Sequence, residues 1–237
     1  SSVLCVGDRL RAGPAWVIFR RGEGAPATLT LACAALLISV VLGIPAGIVA
    51  AVKRNSVSDA VIRVLALLGQ CMPAFWLGIM LIMLFAVKLG WMPTGGAEDG
   101  LRSLILPAFT LGVFSAATIC RLLRSNLIEV LGKEYIDVAK AKGLPKSKII
   151  GKHALKNAMS SIITILGMQF ASLLGGSVIT EQVFAWPGVG RLVIQSITTS
   201  DFAVVECIVF LMAVIFVVIN FIVDVLYCVI NPRVRLQ

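Results

Sequence analysis

Residues 134–158 read EYIDVAKAKGLPKSKIIGKHALKNA, six lysines and two acids set between long apolar runs. The first part favours helix. Tyr135, Val138, Ala139 and Lys142 fall at i, i+3, i+4 and i+7, the spacing of one helical face. Gly143 suits the left-handed position that ends a helix. Pro145 suits the first turn of the next one, where its missing N–H has no bond to make. Beyond it Ile149, Ile150, His153, Ala154 and Asn157 repeat at helical spacing. The stretch predicts two short amphipathic helices joined at a tight bend, lodged in an otherwise greasy chain.

The 237 residues are 59% hydrophobic and 14% charged, with a mean hydropathy of +0.98. A soluble domain carries about a quarter charged residues, so the balance points to the bilayer. A helix crosses the hydrocarbon core with roughly 20 apolar residues, and five runs are long enough. They are 29–52, 61–87 with Pro73 inside it, 104–123 entered through Pro107, 162–180 and 204–230. The first begins too far into the chain, and is too long, to be the core of a cleavable signal. The expected fold class is all-α, a polytopic transmembrane helical bundle with five spans and a cytoplasmic helical loop.

A net charge of +9 could suit nucleic acid, but its placement does not. Lys53, Arg54 and Arg63 flank the first short loop; Arg121, Arg124 and the lysine-rich stretch follow the third run; Arg233 and Arg235 follow the last. The loops 88–103 and 181–203 are poor in positive charge. That alternation is the positive-inside pattern, and it puts 134–158 in the cytoplasm, the N-terminus outside and the C-terminus inside. Residues 1–25, with Arg9, Arg11, Arg20 and Arg21, then form an external N-terminal segment. An earlier span before residue 1 is the expectation, with one transmembrane domain over 26–235 and its cytoplasmic loop at 133–159.

Chemistry-bearing groups are sparse. Six cysteines stand singly, without the CxxC spacing of a zinc site, and read as small hydrophobes. His153 is the one histidine, so no metal cage is expected. No phosphate-binding loop, HExxH or GxSxG occurs, and no catalytic residue is expected. Within the spans the deep ionisable group is Asp224, with Glu206 near the start of the last run. Arg121 and Arg124 are close enough to the inner boundary to snorkel. Gly43-Ile44-Pro45-Ala46-Gly47 and the small residues Gly167, Ser172, Gly175, Gly176 and Ser177 predict close helix–helix packing.

The lysine-rich stretch resembles the cytoplasmic EAA loop of inner-membrane permeases of ATP-binding-cassette (ABC) importers. The similarity is greatest to the branch that imports dipeptides, oligopeptides, glutathione and nickel. Glu134, Tyr135, Ala139, Ala141, Lys142, Gly143, His153, Leu155, Asn157 and Ala158 match that branch's pattern, with Asp137 at the start of the general motif. "ATLTLA" (27–32), "MPAFWLG" (72–78), "GWMPTGG" (90–96), "VFAWPGVGRL" (183–192) and "NFIVDVLYCVINPRVR" (220–235) follow in the same order. A usual proline is Ser161 here, and a usual Arg-Asp-Tyr-Pro is Ser200-Asp201-Phe202-Ala203.

The resemblance implies a permease subunit for di- or oligopeptides or a related solute, with nickel, nickel-chelate or glutathione import as the alternative. It implies a second homologous permease subunit, two ATP-binding subunits carrying ATP and Mg, an external substrate-binding protein, surrounding membrane lipid, and no cofactor in this chain. The location implied is a bacterial or archaeal cytoplasmic (inner) membrane. Ala139, Ala141, Gly143 and Leu155 would let the loop seat in an ATPase groove. Trp186, Pro187, Gly188 and Gly190 would lie outside, as a rigid turn anchored by an interfacial tryptophan or in contact with the gate or binding protein. A different class, the ion-coupled carrier, is disfavoured because few ionisable groups lie within the spans.

Overall fold

The computed structural model describes residues 24–230, apart from the side chains at 160, 161, 176, 223, 224 and 226–230. The segment 1–23, the tail with Arg233 and Arg235, and the Asp224 side chain therefore lie outside the described residues. Those described are helical throughout save for turns and one isolated bridge between Gly24 and Gly188.

In chain order the helices are α1 (Ala25–Val52), α2 (Val57–Cys71), α3 (Ala74–Leu81), α4 (Leu101–Leu131), α5 (Glu134–Ala141), α6 (Leu155–Gly176), α7 (Val178–Val183), α8 (Val189–Thr198) and α9 (Phe202–Ile230). The wider-wound turns Ile82–Lys88 and Ile149–Ala154 continue α3 and precede α6. Three described helices are long and apolar enough to cross a membrane, or up to five if each of two bent pairs is one span.

The bent pairs refine the sequence reading. Run 61–87 is α2 and α3, broken at Met72 and Pro73. The cause is Pro73, because the residue before a proline is pushed out of helical conformation. Met72 accordingly sits at φ −74, ψ 129, and Pro73 caps the start of α3. Run 104–123 is the middle of the longer α4, in which Pro107 lies inside the helix rather than at its entrance. Run 162–180 is interrupted at Ser177, between α6 and α7.

The chain divides into two compact units. One comprises residues 24–35, Pro73–Leu111 and Phe170–Asn220; the other comprises Leu36–Met72, Gly112–Gln169 and 221–230. The lysine- and arginine-rich turns all fall in the second. In that unit α1 and α4 meet at small residues. A Cβ added to Gly43 would stand 2.8 Å from the Ala116 carbonyl, and one on Gly47 3.0 Å from that of Cys120. Close backbone approach replaces the hydrophobic drive that lipid does not supply.

Candidate functional site

In the second unit, α4 passes the chain to α5 through Gly132 and Lys133. Eight residues make a helix too short to persist alone in water. Ile136 and Ala139 hold it, sharing one buried core with Leu123, Leu127 and Val130 of α4 and with Ile149, Ala154, Ala158 and Ile162. Burying an isoleucine side chain is worth roughly 1.5–3 kcal/mol. The face pattern drawn through Tyr135 and Val138 is therefore corrected by about one residue. Those two are 41% and 55% exposed, while Ile136 is fully buried. Tyr135 keeps its hydroxyl at the surface, where it accepts a 2.9 Å hydrogen bond from Asn157 Nδ2. Asn157 also donates to the His153 carbonyl at 3.0 Å, so Tyr135, His153 and Asn157 are brought together.

Gly143 ends this unit of structure at φ +73, a left-handed conformation that glycine adopts without penalty. Pro145 is the cap before the next helix rather than within its first turn, and its carbonyl accepts from the N–H groups of Lys148 and Ile149. The second helix of the stretch is not separate. It starts at Lys146 and runs through the wide turn Ile149–Ala154 directly into α6.

The candidate residues thus split by environment. Glu134, Tyr135, Asp137, Ala141, Lys142 and Gly143 are exposed, with Val138 beside them. Ala139 is buried and Leu155 packs against the same core, so neither belongs to an outward docking face. Their smallness and apolarity serve the seat of α5. Lys140 pairs with Asp137 at 2.7 Å, an exposed contact of little energetic weight.

The loop of the first unit that carries Trp186, expected from the sequence to lie outside, is built around an acid that the sequence analysis did not single out. Glu181 is fully buried in α7. Thr28 and Ser177 each donate a hydroxyl to its Oε1 at 2.8 Å, and the Arg191 backbone N–H donates to Oε2 at 3.2 Å. Thr28 Oγ1 in turn accepts from the Val189 N–H at 2.9 Å. A Cβ on Gly188 would overlap the Glu181 carboxylate, and one on Gly190 would stand 2.6 Å from Val178 Cα. Glycine at both places lets the loop close down.

Trp186 is not interfacial. It is 5% exposed, and its indole N–H donates to the Ala27 carbonyl at 2.9 Å. The Gly24 N–H donates to the carbonyl of the half-buried Pro187 at 2.7 Å. The loop is anchored inward, on the start of α1. Next to Trp186, Phe184 is also buried, and its carbonyl accepts from the Gly96 N–H of the "GWMPTGG" turn at 2.9 Å.

A second buried acid was also missed. Asp59, near the start of α2, is fully buried and gripped by Arg124 of α4, which corrects the expectation that Arg124 snorkels. A local signal existed: Ser56 followed three residues later by Asp59 is the pattern of a helix start. Ser56 Oγ does accept from the Asp59 N–H at 3.3 Å. Glu181 had no such local signal.

Helices long and apolar enough to cross a membrane, with a short helix seated on a charged loop, suit a subunit of a membrane transporter. The chain belongs to the family described as binding-protein-dependent transport system inner membrane component, which it matches over residues 43–236. It is 40% identical to the di/tripeptide transport system permease protein DppB of Pseudomonas aeruginosa (strain UCBPP-PA14), over 90% of this chain and 71% of that one. It is 43% identical to the glutathione transport system permease protein GsiC of Escherichia coli (strain K12), over 88% of this chain and 68% of that one. The fold is similar to that of an inward-facing structure of the MetNI methionine ABC transporter, with a TM-score of 0.77 at 20% identity over 91% of this chain and 97% of that chain.

The chain is therefore a permease subunit of an ABC importer, a non-catalytic multi-pass membrane protein that works with ATP-binding and substrate-binding partners. Family membership displaces the ion-coupled carrier.

Proposed function

We propose that this permease imports di- or tripeptides or glutathione across a bacterial or archaeal cytoplasmic membrane, and that α5 is the helix on which the ATP-binding subunits act. In this reading two permease subunits and two ATP-binding subunits form the importer. ATP and Mg reside on the ATP-binding subunits, and an external binding protein delivers the solute. Closure of the ATPase pair would bias the bundle between inward- and outward-facing states by holding α5 differently in each. The loop of Trp186, Pro187, Gly188 and Gly190 would serve as part of the external closure.

The carrying observation is the two-faced build of α5. Ile136 and Ala139 are locked into the chain's own core, while Tyr135 and Val138 stay open beside Glu134 and Asp137. An apolar pair with a polar rim on a pre-seated helix suits a groove on a partner. Co-purification of the ATP-binding subunits tests this. Val138→Asp and Gly143→Asp are expected to abolish it, whereas Lys146→Gln leaves it intact; equal behaviour of all three would remove the basis for docking. For the solute, the relatives' names support peptides or glutathione. Uptake of labelled dipeptide that is competed by dipeptides or glutathione is the expected result, and uptake of nickel alone would overturn it.

A further inference from the structure

Asp59 is a carboxylate in a place that apolar packing alone would not require. Arg124 grips both of its oxygens, Nε at 2.7 Å from Oδ1 and an Nη at 2.8 Å from Oδ2. Arg63 stands 3.4 Å from Oδ1 on the same helix as Asp59. The Asn55 N–H donates to Oδ2 at 3.0 Å from a left-handed backbone, φ 62, so the turn before α2 is folded around the same group. At the other end of α2, Gln70 Nε2 donates to Thr118 Oγ1 of α4 at 2.9 Å.

Between these two polar ties lies an apolar groove lined by small residues, among them Ala66 and Ala117, and by larger apolar ones such as Ile62, Leu65 and Val113. Contacts of this kind are non-directional and do not fix how far one helix slides past another. A two-pronged arginine–carboxylate pair fixes both distance and angle. Stability alone is a weak reason for such a pair, because well-packed apolar residues of similar volume often serve a buried site as well. Arg124 lies one turn before Leu127, whose side chain shares the buried core with Ile136 of α5. Coupling helix, end of α4 and start of α2 are thus one connected train within this unit.

We infer that Asp59 and Arg124 are positioning residues for transport, the link that makes α2 follow α4 when the ATP-binding subunits move α5. The inference rests on the docking reading above and adds a route to it. α5 carries α4 through apolar packing, and α4 carries α2 through the ion pair.

Spin labels on the assembled importer read this out, at Val64→Cys of α2 (56% exposed) and at the exposed Ser125→Cys of α4, with the native cysteines replaced. With the pair intact, the α2–α4 distance is expected to be the same without nucleotide and with ATP plus vanadate. Asp59→Asn combined with Arg124→Met removes both charges and leaves neither buried alone. That double variant is expected to give a nucleotide-dependent shift of about 2 Å, the size of helix shifts in switching proteins. Arg124→Lys keeps the charge but loses the fork, and it broadens the distribution.

A double variant as nucleotide-independent as the parent overturns the inference. So does a parent distance that itself shifts, or a failure of both Arg124→Lys and the double variant to assemble, which would make the pair a folding requirement only. Loss of the ATP-binding subunits from the parent complex would defeat the docking reading, and this one with it. Retained subunits with equal distances defeat this one alone.

Discussion

Replacing Glu181 by glutamine keeps the shape of the side chain, removes its negative charge and turns one acceptor into a donor. Three donors converge on the carboxylate, the hydroxyls of Thr28 and Ser177 on one oxygen and the Arg191 N–H on the other. If the amide nitrogen takes the second position, it faces the Arg191 N–H and both lose their partner. If it takes the first, the two hydroxyls must turn their hydrogens elsewhere. Thr28 Oγ1, which already accepts from Val189, then loses the acceptor its own hydrogen has in the structure. Either way at least one buried donor is orphaned, at a cost of about 1–3 kcal/mol. For a chain of 150–250 residues, each kcal/mol moves the melting temperature by about 2–4 °C, so the expected drop is about 2–12 °C. Glu181→Ala orphans all three donors and opens a cavity, which raises the cost to about 3 kcal/mol or more. Thermal unfolding of the detergent-purified chain measures both, with exposed Glu206→Gln as the control. A Glu181→Gln melting point within a degree of the Glu206→Gln control would refute the claim that this carboxylate organises the loop around Trp186.

Two further outcomes follow from burial that the sequence did not reveal. Ile136→Ala is expected to cost about 2–5 kcal/mol locally and to expose α5 to trypsin at Lys133 and Lys140, whereas Tyr135→Ala leaves the cleavage pattern unchanged. Trp186, buried with its indole N–H on Ala27, is expected to resist acrylamide quenching that reaches the exposed Trp91. Equal quenching of single-tryptophan variants would restore the interfacial reading.

The spans were legible because hydropathy is a local property and a transmembrane helix satisfies its own backbone. The ends of α4 were not, because Leu127 and Val130 extend it only by meeting Ile136 and its neighbours in a core. The orientation of α5 failed for the same reason. A helical repeat offers several adjacent faces, and the choice of Ile136 over Tyr135 is made by what α4 presents. Gly143 and Pro73 were legible because left-handed glycine and proline's effect on its predecessor act within one or two residues. The resemblance marked the external loop as a unit, yet not its anchor. Thr28 and Glu181 are 153 residues apart, and no local spacing reports such a pair.

The two buried carboxylates have a common logic, taken unit by unit. In each case the acid binds a turn to a helix remote in sequence: Asp59 joins the turn at Asn55 to Arg124, and Glu181 joins the loop at Val189, through Thr28, to the start of α1. Apolar side chains against lipid or against each other discriminate weakly between neighbouring registers, since every register buries similar surface. A buried carboxylate discriminates strongly, because a wrong register leaves it without donors at a cost of several kcal/mol. The lysines of 134–158 are exposed and act by sign and location, so one can stand for another. Asp59 and Glu181 act by position to within a hydrogen-bond length, so even the isosteric amide is a different residue there. In a chain this apolar, the acids that carry shape are the ones that look least like a motif.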